Sequence, residues 1–290
     1  MSIPKIASYP MPAAAAMPPN RVDWTPDPAR AVLLIHDMQD YFLDFYDGAA
    51  APIPELLAHV RRLRDACDAA GVPVVYSAQP AEQSALERGL LNDWWGPGLT
   101  AHPERASICA SIAPRAHDTV LVKWRYSAFA RSDLHERMQA QGRDQLIVCG
   151  VYAHIGCLMS AADAFMRDIE PFLAGDALAD FSAGQHALAL DYVAQRCGVV
   201  ATTARIIDAL RAAPGLPASL QALRAEVAAL LEMPAVELGS EDNLLESGLD
   251  SIRLMSLLER WKRAGATLTF VELAEAPTLT AWWRLLEAQA

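Results

Sequence analysis

Six apolar runs of strand length set the fold: AVLLIH (31–36), VPVVYS (72–77), TVLVKW (119–124), QLIVCGVY (145–152), PFLAGDAL (171–178) and GVVATT (198–203). Each is apolar along its length rather than at every second residue, the pattern of strands buried on both faces. Helical segments lie between them. In PELLAHVRRLRDACDAAG (54–71), Leu56, Val60, Leu63 and Cys67 fall three or four residues apart, arginines take the other side and Gly71 ends the helix. Strands that alternate with helices build a parallel sheet covered on both faces. Residues 1–210 are therefore expected to form one α/β domain on a doubly wound, mainly parallel, six-stranded sheet. A hydrophobic content of 53% in 290 residues is ample for that core and leaves room for a second, smaller domain.

The alternation stops at RAAPGLP (211–217), whose Pro and Gly mark a linker. Beyond it, helical patterns at about 218–232, 251–264, 270–275 and 278–288 predict a small all-α four-helix domain over 218–290. That part is acidic, with eleven Asp or Glu against six Lys or Arg in 217–290. The whole chain carries 24 Lys plus Arg against 35 Asp plus Glu, a formal net charge of -11, which argues against nucleic acid and against an anionic membrane surface. No stretch approaches the roughly 20 apolar residues of a membrane-spanning helix. The start, MSIPKIASYPMPAAAAMPPN, lacks a basic segment followed by a continuous apolar core, so a cytoplasmic location is expected. Five cysteines, Cys67, Cys109, Cys149, Cys157 and Cys197, are odd in number and mostly inside apolar segments, which suits reduced thiols.

In such sheets ligands sit at the carboxyl ends of the strands. That rule selects Asp37 after the first strand, Gln79 after the second, Lys123 at the end of the third and Tyr152 to Gly156 after the fourth. A long stretch without regular pattern, AQPAEQSALERGLLNDWWGPGLTAHP (78–103), carries Arg88, Trp94 and Trp95 and reads as a functional lid or interface element.

In the acidic part, DNLLESGLDSIRL (242–254) puts a serine directly after Gly-Leu-Asp at the start of a helix. Either Asp250 or Ser251 could serve there as a helix cap. The segment also resembles acyl, peptidyl and aryl carrier domains, whose serine in this element accepts 4'-phosphopantetheine. A helix start offers unpaired N–H groups and a positive dipole end beside the new phosphodiester. The resemblance implies modification of Ser251 by a phosphopantetheinyl transferase, magnesium serving only that transferase. Met255, Phe270 and Ala274 are assigned to an exposed apolar face that meets partner enzymes, the alternative being that they fill the core.

LLIHDMQDYF (33–42), QP (79–80), WGPGL (95–99), LVKWRYSAF (121–129), GVYAHIGC (150–157) and DALADFS (176–182) together resemble the isochorismatase branch of the cysteine-hydrolase superfamily. With the carrier segment, the whole chain is similar to the two-part isochorismatase and aryl carrier proteins of catecholate siderophore pathways. The amidases of that superfamily use an Asp-Lys-Cys triad. Asp37 and Lys123 match two of its members, but Gly156 stands where the nucleophile belongs and Cys157 comes one residue late. One residue at a helix start turns a side chain by about 100°, so Cys157 is expected in packing. The Asp-x-His metal ligands of nicotinamidases are missing from YSAQPAEQ, and no metal is implied.

The resemblance implies hydrolysis of isochorismate to 2,3-dihydro-2,3-dihydroxybenzoate and pyruvate by protonation of a vinyl ether. Asp37 would be the acid and Lys123 would orient it. Because the substrate is a dianion, Gln79, Arg88, Tyr126, Tyr152 and the backbone at Gly156 are assigned as donors, with Phe42 and Trp94 as apolar walls and His154 as a supporting residue. The carrier part would hold 2,3-dihydroxybenzoate as a thioester, loaded by a 2,3-dihydroxybenzoate-AMP ligase and unloaded at a condensation domain of a non-ribosomal peptide synthetase. A homodimer is implied as well. Two other readings remain open: a cysteine amidohydrolase of nicotinamidase type, opposed by Gly156, and a non-catalytic scaffold that only docks the carrier.

Overall fold

The structure is a computed structural model that describes residues 3–211, 216–231 and 233–289. It divides into two compact units, Met1–Arg211 and Ala212–Ala290. Of the expected linker, residues 212–215 lie outside the described residues, as does residue 232 at the end of the first expected carrier helix.

In the first unit the strands are β1 (Ala31–His36), β2 (Val74–Ala78), β3 (Thr119–Val122), β4 (Gln145–Val151), β5 (Glu170–Ala179) and β6 (Val199–Ala201). They form one sheet in the order β3-β2-β1-β4-β5-β6, with every neighbouring pair parallel. The chain winds outward from β1 to β3, then returns to the far side of β1 and continues from β4 to β6. The direction of winding changes between β1 and β4, and the crevice at their carboxyl ends is where such a fold binds ligands. Asp37 leaves one wall of that crevice and Tyr152 the other.

The apolar strands are buried on both faces, and β1 shows how. Leu33 and Ile35 enter a core that includes Leu56, Val60 and Leu63 of the helix Ile53–Ala69. Val32 and Leu34 enter the opposite core with Leu158, Ala161, Leu190 and Val193 from the helices Leu158–Phe165 and Ala183–Arg196. β4 lies against β1 with Gly150 opposite His36, where a β-carbon would stand 2.2 Å from the His36 carbonyl oxygen. Gly150 has φ of 113°, so only glycine meets both demands.

Two departures from the sequence pattern have local causes. β3 ends at Val122 rather than at residue 124, and its Val120 and Val122 are about half exposed because it is the edge strand. The stretch 78–103 is not irregular: it holds the short helices Ala85–Arg88 and Leu91–Trp95 and two 3-10 turns, Gly98–Ala101 and Pro103–Arg105. A capping box between Ser84 and Glu87 starts the first of these.

The second unit has helices at Leu220–Leu230, Ser251–Arg263, Phe270–Glu275 and Leu279–Glu287. Their amino ends are capped by Ser219, Asp250, Thr269 and Thr278, each accepting a backbone N–H. Leu223, Val227, Leu254, Leu258, Leu273 and the edge-to-face pair Trp261 and Trp282 fill the core. A domain this small depends on such dense aromatic packing.

Candidate active site

Asp37 follows the last residue of β1 with φ of 49°, a left-handed turn that swings its carboxylate over the strand ends. Its backbone N–H donates to the Ser77 carbonyl (3.1 Å), which ties the turn to β2. The Ser77 hydroxyl donates to Oδ1 (2.8 Å) and the Lys123 ammonium to Oδ2 (2.8 Å). Lys123 is placed by its own N–H, which donates to the carbonyl of Ala78, the last residue of β2 (2.9 Å). Both charged groups are about 5% exposed or less, so their pairing is scarcely screened.

The cleft above this pair is lined by Phe42, Gln79, Arg88, Tyr126, Tyr152 and Gly156, all expected from the sequence, and also by His36, Tyr41, Trp95, Arg125 and Phe181. Gln79 is held by Gln39, whose amide accepts the Gln79 N–H (2.7 Å) and donates to the Gln79 and Ala106 carbonyls (2.9 and 2.7 Å). Arg88 is 4% exposed, and burial pulls its guanidinium below the usual arginine range. Its Nε donates to the Gly96 carbonyl (2.7 Å) and Nη1 to Gln83 (3.3 Å). Among the described residues no carboxylate pairs with it. Gly98, at φ of 57°, leaves the space in which Nη2 lies; a β-carbon there would stand 2.2 Å from that nitrogen. A buried cation without a counter-ion, aimed into a cleft, has the chemistry to receive an anion.

Two assignments need correction. Trp94 is not a wall of the cleft: it is 60% exposed, and its neighbour Trp95 lines the space instead. In the helix Leu91–Trp95 adjacent side chains diverge by about 100°. The inward one, Trp95, donates to the Tyr126 hydroxyl oxygen (2.8 Å) and meets Phe181 edge to face. Tyr152 is not a free donor, because its hydroxyl donates to the Phe42 carbonyl (2.8 Å); its ring stacks edge to face with Phe42 and Phe181 and forms the apolar wall. The Tyr126 oxygen is the acceptor from Trp95, so that bond does not use the Tyr126 hydroxyl proton.

Cys157 is fully buried in the core and does not line the cleft, and burial holds its thiol far above the usual cysteine range. It supplies no thiolate. His154 lies outside the cleft lining and bonds to the buried Asp180 through both Nδ1 and its backbone N–H (2.6 Å each). Among the described residues, the atoms of Asp68, His117 and Asp118 lie close enough together to hold a metal, but none lines the cleft and Arg115 pairs with Asp68 there.

In the second unit Asp250 caps the helix Ser251–Arg263 by accepting the Arg253 N–H (2.8 Å), which leaves Ser251 as the first helical residue with its side chain in solvent. Near it Met255 is 43% exposed, whereas Phe270 and Ala274 are half-buried against the core. Ile252 (82% exposed) and Val271 (59% exposed), which the sequence pattern did not single out, present more apolar surface.

Residues 31–205 match the Isochorismatase domain and residues 221–286 match the Phosphopantetheine attachment site. The chain is 48% identical over 302 residues to the "Isochorismatase" of Bacillus subtilis (strain 168), covering 100% of this chain and 97% of that protein. It is 49% identical over 289 residues to "Enterobactin synthase component B" of Escherichia coli (strain K12), covering 100% of this chain and 99% of that protein. Among solved structures, a cysteine hydrolase from Pseudomonas syringae pv. phaseolicola superimposes with a TM-score of 0.61 at 24% identity over 67% of this chain and 97% of that one, which speaks to the fold alone.

Proposed function

The chain belongs to the isochorismatase family and ends in a phosphopantetheine-attachment domain, and from that premise we infer that it is a two-part siderophore enzyme. Its first domain hydrolyses isochorismate to 2,3-dihydro-2,3-dihydroxybenzoate and pyruvate. Its second carries 2,3-dihydroxybenzoate for non-ribosomal peptide synthesis.

Hydrolysis of a vinyl ether begins with a proton on the terminal methylene carbon. Asp37, in its acid form, gives that proton, and the π electrons of the double bond form the new C–H bond. The resulting oxocarbenium ion takes up water, whose surplus proton returns to Asp37. The hemiketal then breaks its C–O bond to the ring, its hydroxyl proton passing to the departing alkoxide, and pyruvate leaves. Lys123 and Ser77 hold the two carboxyl oxygens, so the acid is aimed and needs no reorganisation during proton transfer. Arg88, with Gln79 and Tyr126, binds the carboxylates of the dianion, and Phe42, Tyr152, Phe181 and Trp95 enclose the ring. The observation that carries this reading is the cleft's chemistry: a buried acid, a buried unpaired guanidinium and no thiol. A cysteine amidohydrolase would need a nucleophile where Gly156 stands.

Ser251 fits covalent attachment, because the cap is Asp250 and the serine hydroxyl is free in solvent at the start of a 13-residue helix. A phosphopantetheinyl transferase would join that oxygen to the phosphate, and the group once bound supplies a thiol that holds acyl cargo as a thioester. Met255, Phe270 and Ala274 are proposed to meet the 2,3-dihydroxybenzoate-AMP ligase and the condensation domain. Among the described residues no helix is long and apolar enough to cross a membrane. A cytoplasmic homodimer is proposed. The direct test supplies purified protein with isochorismate and couples pyruvate to lactate dehydrogenase, with nicotinamide as the control. Pyruvate without ammonia from nicotinamide supports the reading, and the reverse overturns it.

A further inference from the structure

His36 lies in a socket made by two glycines. It pairs with Gly150 across the β1–β4 junction, and its ring packs against Gly156 at the start of the following helical turn. A β-carbon on Gly156 would stand 2.0 Å from His36 Cε1, 2.6 Å from Nε2 and 3.0 Å from Nδ1, inside the volume of the imidazole. The ring has no room to retreat. It is fully buried, Nδ1 lies 2.8 Å from the Val151 carbonyl oxygen and Nε2 lies 3.2 Å from that of Tyr126. On its other side Nδ1 is 3.8 Å from Asp37 Oδ2. Burial favours the neutral imidazole, whose single N–H serves one of the two carbonyls that its nitrogens face.

We infer that His36 and Gly156 are a matched pair: the imidazole occupies the place of any side chain at position 156, and as a positioning residue it sets the spacing between Asp37, the Tyr126 backbone and the helix start. The inference rests on the hydrolase reading and deepens it. While His36 is present, no methyl, hydroxyl or thiol can project into the cleft from position 156. The segments that the ring joins carry the acid (Asp37), a substrate donor (Tyr126) and the apolar wall (Tyr152), so displacing the ring displaces the reacting geometry.

The test is a double-mutant cycle read by pyruvate release. Gly156→Ala in the native background lowers kcat by about a hundredfold, the scale of a 1 Å misplacement in an active site. His36→Asn keeps a nitrogen near the Nδ1 position, able to donate to Val151, but lacks the Cε1 and Nε2 atoms that block the new methyl. In that background Gly156→Ala costs no more than about threefold, a non-additivity expected only of groups in contact. His36→Gln refills the Nε2 volume, so there Gly156→Ala is again deleterious. His36→Asn alone lowers kcat by about tenfold or more with KM within about threefold, since the substrate-binding cation is untouched. Equal losses for Gly156→Ala in all three backgrounds, or a His36→Asn enzyme with native kcat, overturns the pairing. Either can occur while the native protein still releases pyruvate, so failure of the pairing is distinguishable from failure of the hydrolase reading.

Discussion

Replacing Arg88 by methionine separates what the cleft does for substrate from what it does for stability. The guanidinium is 4% exposed, bonds to the Gly96 carbonyl and Gln83, and meets no carboxylate among the described residues. A hydrogen bond to a charged partner contributes about 1.5–3 kcal/mol, so loss of the carboxylate contact raises KM by about 10- to 150-fold. For the fold the terms oppose each other. The bond to Gly96 is lost, which costs about 1.5–3 kcal/mol on the same scale, while the desolvation penalty of a buried cation, of similar size, is relieved and an apolar stem of similar length fills its place. Net stability should therefore move by no more than about 1 kcal/mol. The assay is the initial rate of pyruvate release across isochorismate concentrations, with a denaturant titration of the same preparation. A large rise in KM with nearly unchanged stability is expected. An unchanged KM, or a variant destabilised by several kcal/mol, would refute the assignment of Arg88 as an anion receptor that the fold tolerates at a cost.

Other outcomes follow from the same geometry. Cys157→Ala retains pyruvate release within about threefold, because a buried neutral thiol takes no part in the chemistry, and brief alkylation of the native protein labels the half-buried Cys109 before the four buried cysteines. Trp95→Ser raises KM severalfold whereas Trp94→Ser leaves it unchanged, as steady-state kinetics of the pair will show. Ser251→Ala abolishes the mass added by a phosphopantetheinyl transferase with coenzyme A and magnesium, yet leaves pyruvate release intact. Asp250→Ala weakens the carrier domain by about 1 kcal/mol through loss of the helix cap, measurable by its unfolding transition.

How much of this was legible in the sequence depended on range. β1, β4 and β5 could be read because each is apolar along most of its length, and Asp37, Gln79 and Lys123 followed from the rule that ligands gather at strand ends. Ser251 was legible as a local element, though only the geometry showed that Asp250, not Ser251, is the cap. The lid was not legible: helices of four and five residues are too short to show a period, and choosing between Trp94 and Trp95 requires helix phase. His36 hid inside an apolar strand, and its role depends on Gly156, a residue far away in the chain. Gln39 acts through Gln79 and Ala106, contacts that only the folded turn creates.

The proposed α/β site works by proton transfer from a carboxyl group and not by thiol attack. Asp37→Asn keeps the size of the side chain and can still accept from Ser77 or Lys123, but it cannot give up a proton to carbon. Pyruvate release from isochorismate by this variant, measured on protein whose circular dichroism matches the native chain, should fall by at least about a hundredfold in kcat. A folded Asp37→Asn protein that releases pyruvate at near-native rate would contradict proton transfer by Asp37.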